Sequence, residues 1–260
     1  LTLLTSACQT AGQTRQYDAL DGYLCNPLMG NVGWAEDLSQ RPQPISLVYA
    51  NITWAELEPE EGTYAFEALE EHYHFDYWRK QGVHMILRFV MDLPGDTAHC
   101  DLPDWLVRRA DGQAYSIPYG SGWCPDYGNA DLLQAHHRAI TALGARYDAD
   151  PFVSFVELGS LGHWGEWHVH DQAGTMPEET IRDRYVMDYL EAFRETQLLM
   201  RRPFRIAAER GLGLYNDATG NPEQTLRWLD WIDRGGEFEG VPDGLSAMPE
   251  GWKTAAMGGL

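Results

Sequence analysis

The chain has 260 residues, 44% hydrophobic and 22% charged, a balance that argues against disorder and supplies material for one large core or two small ones. Its net charge is −20, and the positive side is almost all Arg, with Lys only at Lys80 and Lys253. Such a surface repels phosphate backbones and anionic headgroups, which sets aside nucleic-acid binding and attraction to anionic lipid.

The first residues, LTLLTSAC, have the form of a signal-peptide apolar region running into a bacterial lipobox, with small Ser6 and Ala7 before Cys8. The expectation is export with Cys8 lipidated, against the alternative of an ordinary apolar N-terminus. The only membrane contact expected is that anchor, because no run approaches the length of a transmembrane helix. Residues 1–22 are read as the signal remnant and a polar leader, and 23–260 as one domain. Cys100 and Cys124 bracket a loop rich in Pro, Gly and Trp and would pair in an oxidising compartment, with Cys25 left over. Two free buried thiols are the alternative.

Pro44 to Trp54 is a β-branched and aromatic run that reads as a buried strand. In the segment that follows, Phe66, Leu69, Tyr73, Tyr77 and Lys80 fall at helical spacing, and Gly82 closes the element. Val83 to Val90 is a second strand, near-continuously apolar, as when both faces of a sheet are covered. A long loop runs from Asp92 to Asn129. A helix is expected next, with Asp131 able to cap it and Leu132, Leu133, His136, Ile140 and Leu143 on one side. PFVSFVEL is the third strand. Thr175 and Glu178 have capping-box spacing for a helix in which Ile181, Tyr185, Tyr189 and Phe193 recur every four residues and which continues to QLL. FRIAAE reads as a further strand and EQTLRWLDWI as a further helix.

Strand and helix alternate without a composition shift, which predicts parallel strands with crossover helices. An open doubly wound sheet would be supported by a glycine-rich phosphate loop, and the sequence has neither GxGxxG nor a Walker motif. Polar clusters at strand ends favour an α/β fold of the (β/α)₈ barrel type. About five strands are clear against the eight a barrel needs, so the barrel is expected to be incomplete, lacking its last units.

The segment from Ile52 to Val90 resembles the early strand-helix-strand unit of clan A glycoside hydrolases, the (β/α)₈ group that includes β-galactosidases and cellulase-like enzymes. Trp54, Glu58, Pro59, Gly62 and Phe66 carry that resemblance. LPDWL, the run YDADPFVSFVELGSLGHWGEWH and GLYND resemble more specifically a bacterial family of exported proteins, of unassigned function, related to those hydrolases. The resemblance spans about Asn26 to Gly259. It implies a cofactor-free hydrolysis of glycosidic bonds by two carboxyl groups, one protonated and one ionised. It places the acid/base Glu after the fourth strand and the nucleophile after the seventh, which is expected beyond Leu260.

Glu157 lies at the end of the PFVSFV strand, preceded by Val156 where the clan has Asn. Glu166 follows in the loop, between Trp164 and Trp167, where aromatic walls would raise a carboxyl pKa as a general acid requires. Glu166 is therefore the expected acid/base, Glu157 a positioning group and Asp217 the second carboxylate within the chain. The alternative is that both glutamates only bond barrel arginines. Arg88 and Asp92 flank the end of VHMILRFVMD, and Arg88, on an otherwise apolar strand, needs an anionic partner inside the barrel, which could be Glu157 or Glu166. Trp105, Trp123, Trp164, Trp167, His168 and Tyr215, with Arg88 and Asp92, are the expected substrate contacts. Trp54, Trp78 and Trp228 are assigned to packing. His163, His168, His170 and Glu166 offer a minor metal reading, since their spacing matches no closed zinc signature. The expected partner is thus a poly- or oligosaccharide, and the rivals are a non-catalytic glycan-binding lipoprotein and a metal-dependent hydrolase.

Overall fold

A computed structural model describes residues 21–22 and 26–259, so Cys8, Cys25 and the polar leader up to residue 20 lie outside the described residues. Its strands in chain order are β1 (Val32–Trp34), β2 (Leu47–Thr53), β3 (His84–Val90), β4 (Gly112–Ile117), β5 (Gly120–Pro125), β6 (Val153–Glu157), β7 (Gln197–Met200), β8 (Gly213–Asn216), β9 (Gly236–Phe238), β10 (Val241–Leu245) and β11 (Met257–Gly259). The helices are α1 (Trp54–Leu57), α2 (Phe66–His72), α3 (Phe75–Gln81), α4 (Asp104–Val107), α5 (Ala130–Tyr147), α6 (Glu179–Ala192), α7 (Arg205–Arg210) and α8 (Pro222–Arg234).

Seven strands form one sheet in the order β1-β2-β3-β6-β7-β8-β11, every pair parallel. Neighbour order follows chain order, as right-handed crossovers produce when a sheet winds in one direction. This is an incomplete (β/α)₈ barrel, a curled parallel sheet with seven strands among the described residues. Hairpins β4/β5 and β9/β10 are added outside it.

The period of two along each strand sorts side chains between two buried layers. Leu47, Tyr49, Ile86, Phe155, Leu199 and Tyr215 pack together on the inner face of the curl. Their neighbours Val48, Ala50, Met85, Leu87, Val156, Met200 and Leu214 belong to the larger core shared with the helices. Helix α5 contributes Leu132, Leu133, Ile140 and Leu143 to that core, and its His136 is a fully buried polar residue. Each buried Leu or Ile there stabilises the fold by about 1.5–3 kcal/mol relative to exposure.

The Trp54 to Gly62 signature has a local physical basis. Glu58 is buried; it accepts from the Trp54 indole at 2.9 Å and the Gly62 amide at 2.8 Å, and its carbonyl accepts from the Trp105 indole at 3.0 Å. One carboxylate thus fixes the turn that leaves β2.

Several expectations need correction. Asn129, not Asp131, caps α5, accepting from the amides of Asp131 and Leu132. The segment after β2 is three short helices, because His74 takes a left-handed conformation (φ 55°) between α2 and α3. Thr175 caps nothing: α6 starts after Glu178 with no side-chain cap. Gln197–Met200 is strand β7 rather than the end of α6, and FRIAAE forms α7 rather than a strand. The loop from Asp92 to Asn129 contains α4 and the β4/β5 hairpin. Cys100 and Cys124 are free thiols, and burial pushes Cys124 up to about 12.

Candidate active site

At the ends of β3 and β6, Arg88 and Glu157 stand side by side in register on the inner face. Their side chains are 1% and 4% exposed, and Arg88 Nε donates to Glu157 at 2.8 Å. The guanidinium lies against the Tyr49 and Tyr215 rings at 5.1 and 4.6 Å, and a further N–H donates to the Trp164 carbonyl at 3.0 Å. The Tyr215 hydroxyl donates to the Gly165 carbonyl at 3.0 Å. Glu157, Arg88 and Tyr215 therefore form a sealed floor beneath the loop that follows β6.

That loop is held in an uncommon shape. Trp164 (φ 53°) and Trp167 (φ 61°) are both left-handed, a conformation that costs a bulky residue on the order of 1–3 kcal/mol and collects at functional sites. The Trp164 amide donates to the Asp92 carbonyl at 2.8 Å, and the Trp167 indole donates to the Leu158 carbonyl at 2.7 Å. Gly165 (φ 70°) must be glycine, because a Cβ would sit 2.4 Å from the Gly159 carbonyl oxygen. Below, Asp92 is fully buried and accepts from the Tyr115 hydroxyl and from His163 Nδ1. The strained loop sets the Glu166 side chain beside His168 and Asp217.

Glu166 shares a cleft of about 540 Å³ with His168, Arg201, Arg202, Asp217 and Trp231, rimmed by Phe238 and Glu239 of the β9/β10 hairpin. A carboxyl oxygen of Glu166, one of Asp217 and a ring nitrogen of His168 all lie within 4.8 Å of one another. Burial lifts the Glu166 carboxyl above its ordinary value and the Asp217 charge adds to the rise, against a partial offset from His168. Burial also works against Asp217, but its ion pair with Arg201 outweighs that and holds it below the ordinary carboxylate value. Two neighbouring carboxyls are thus pushed apart, one toward the acid and one toward the anion.

Of the residues expected from the sequence, this cleft brings together Glu166, His168 and Asp217. Glu157, Arg88 and Tyr215 lie under it, and Asp92 braces the loop. Trp105 and Trp167 are 7% and 1% exposed and serve as packing and hydrogen-bonding groups, so neither has a face free for a sugar. Trp123 packs on the main core, and Trp164 stands beside Tyr119 at 5.4 Å outside the cleft lining. The accessible aromatic of the cleft is instead Trp231, from α8, with Phe238 of β9 buried behind it. No motif in the sequence marked Trp231, Arg201 or Arg202.

The minor metal reading's set of His163, His168, His170 and Glu166 does not converge on one point among the described residues. His163 uses Nδ1 on Asp92 and Nε2 to accept from the His170 amide at 3.1 Å, so neither ring nitrogen is free. Glu166, His168 and Asp217 are the described residues whose atoms could converge on an ion. Asp217 is paired with Arg201 there.

An incomplete parallel barrel with two carboxyls in a strand-end cleft has the parts that a glycoside hydrolase uses. Residues 32–182 match the family Glyco_hydro_42, described as Beta-galactosidase, and the chain belongs to that family. No curated protein matches the sequence. Among solved structures, similar ones include endo-glycoceramidase II from Rhodococcus sp., at TM-score 0.46 and 14% identity over 71% of this chain and 52% of that one. A GH5_18 protein from Bifidobacterium longum subsp. infantis has TM-score 0.42 and 18% identity over 60% and 34%. A psychrophilic family 10 endo-beta-1,4-xylanase has TM-score 0.41 and 14% identity over 73% and 51%. The chain spans about half the length of the endo-glycoceramidase it resembles.

Proposed function

We propose that the protein hydrolyses β-galactoside or related glycosidic bonds in an oligo- or polysaccharide, with Glu166 as general acid. The observation that carries this reading is the opposite tuning of Glu166 and Asp217 in one cleft. A protonated Glu166 can give its proton to the departing glycosidic oxygen, and Asp217, kept ionised by Arg201, is the negative group next to the developing positive charge on the sugar. One oxygen of each lies within 4.8 Å of the other, nearer the spacing of a retaining pair than of an inverting one, so the reading includes retention of configuration. His168, which bonds Glu166 at 3.3 Å, is a hydroxyl contact and orients the acid. Export and an anchor at Cys8 are part of the proposal and rest on LTLLTSAC alone.

One observation favours a second reading, a glycan-binding protein without turnover. Glu157 occupies the strand end that the family resemblance gives to the acid, and it is sealed against Arg88. Galactose release from an alkyl β-galactoside panel separates the two. Turnover by the wild type, lost in Glu166→Gln with sugar binding kept, supports the enzyme. Binding without turnover in the wild type supports the second reading.

A further inference from the structure

We infer that the sugar held in this cleft carries a carboxylate, as a uronic acid does, and that Arg201 and Arg202 are the groups that receive it. The inference deepens the glycosidase reading and depends on the same cleft.

Arg201 follows the last residue of β7, and its side chain is 5% exposed. One end of the guanidinium pairs with Asp217, while Nε and Nη1 are buried and have no hydrogen-bond partner. Buried N–H groups of a charged side chain left without an acceptor are costly, and each such group in a native structure calls for a missing partner. Both nitrogens belong to a residue that lines the cleft.

Arg202 is the second observation, and it is independent of the first. Among the described residues it has no carboxylate within the 4.0 Å of an ion pair, and Nε makes a long bond of 3.3 Å to the Trp167 carbonyl. The guanidinium lies over Trp231 at 5.0 Å and Phe238 at 5.3 Å. Burial and the adjoining Arg201 charge draw its pKa down to about 10, so the cation is under-compensated where it stands. Glu237 and Glu239 face the cleft from the β9/β10 side, and neither reaches Arg202 at ion-pair distance. Arg227, also in the lining, is already paired with Glu223 at 3.0 Å.

Neutral hydroxyls would fill the empty N–H positions without balancing this charge. A carboxylate does both, because its two oxygens match the fork of a guanidinium. Trp231 offers a flat apolar face beside it, suited to the C–H face of a pyranose. The overall charge of −20 repels anions at long range, so an anionic sugar would bind here through local complementarity and not through steering.

Calorimetric titration of the full chain with galacturonic acid, its methyl ester, galactose and galactose 6-sulfate tests this. The expected result is binding of the acid at least tenfold tighter than the ester or galactose, with that preference lost in Arg202→Gln while galactose still binds. Arg201→Lys, which keeps a positive charge beside Asp217, is expected to weaken the acid preference without unfolding the cleft. Equal affinity for acid and ester, no binding of the acid, or a preference unchanged in both variants would overturn the inference, and tighter binding of the sulfate would assign the site to sulfated sugars instead. Parallel assays on aryl β-galactoside and aryl β-galacturonide separate the two levels. Tight acid binding with no turnover of either keeps the anion site and removes the glycosidase reading, and turnover of the galactoside without acid preference does the reverse.

Discussion

Glu166 and Asp217 share a cleft, yet their surroundings favour opposite charges. Glu166 is raised mainly by burial and so holds its proton above the ordinary value of 4.5, while Asp217, lowered through Arg201, loses its proton below 3.8. Hydrolysis needs the first protonated and the second ionised, so kcat/KM should follow a bell whose acid limb reports Asp217 and whose alkaline limb reports Glu166. The two limbs are macroscopic values of the pair. With an activated leaving group, Glu166→Gln should abolish the alkaline limb and leave the acid limb, and an unchanged profile would show that other groups titrate. Glu157 makes a different prediction, because it pairs with a buried Arg88. Glu157→Ala should cost about 3–5 kcal/mol in denaturant unfolding by leaving the guanidinium unpaired. Arg88→Met combined with Glu157→Leu should recover most of that loss. Glu166 was legible in the sequence through its two flanking tryptophans, although they act by backbone shape and packing and not as aromatic walls. Arg201, Arg202 and Trp231 were not legible, since only the curl of the sheet sets them beside the β6 loop.

At the scale of elements, the long runs with a single period were the readable ones. Strand β3 is near-continuously apolar, with His84 and Arg88 the exceptions, because both its faces are covered, and α5 repeats its apolar residues over 18 positions. The misread elements are short. FRIAAE alternates Phe, Arg and Ile like a strand, but its Ala, Ala and Glu are good helix formers and Gly211 (φ 64°) closes the helix. The cap of α5 shows the same limit, since Asn129 and Asp131 are both capping residues and two positions apart. Asn129→Ala should destabilise the protein by about 0.5–2 kcal/mol, and Asp131→Ala should fall within about 0.5 kcal/mol of the wild type. Chemical denaturation of the two variants checks the assignment, and the reverse order would overturn it.

Across the whole molecule, a polar chain ties the helical layer to the site. Asp188 of α6 bonds His136 Nδ1 at 2.6 Å, His136 Nε2 bonds Ser160 at 2.7 Å, and Ser160 bonds Tyr189 at 2.7 Å. Ser160 lies in the loop that carries Glu166. Burial lowers the His136 pKa below its ordinary 6.5 despite the attraction of Asp188. The unfolded chain therefore takes up a proton below pH 6.5 that the folded chain refuses, so this contribution to stability is present above 6.5 and is lost as the pH falls. The difference in unfolding free energy between wild type and His136→Gln should shrink on acidification from pH 7, and a constant difference would contradict the linkage. The barrel class was readable from alternation and from the Trp54 to Gly62 signature, whereas the hairpin that supplies Phe238 and Glu239 had no periodic mark.

The most direct measurement of the central claim is kcat/KM for wild type and Glu166→Ala across aryl β-galactosides of graded leaving-group acidity. If Glu166 is the general acid, the variant should lose about 10²–10⁴-fold on poor leaving groups and progressively less as the phenol becomes more acidic and needs no proton. A loss independent of the leaving group, or no loss at all, would contradict the assignment.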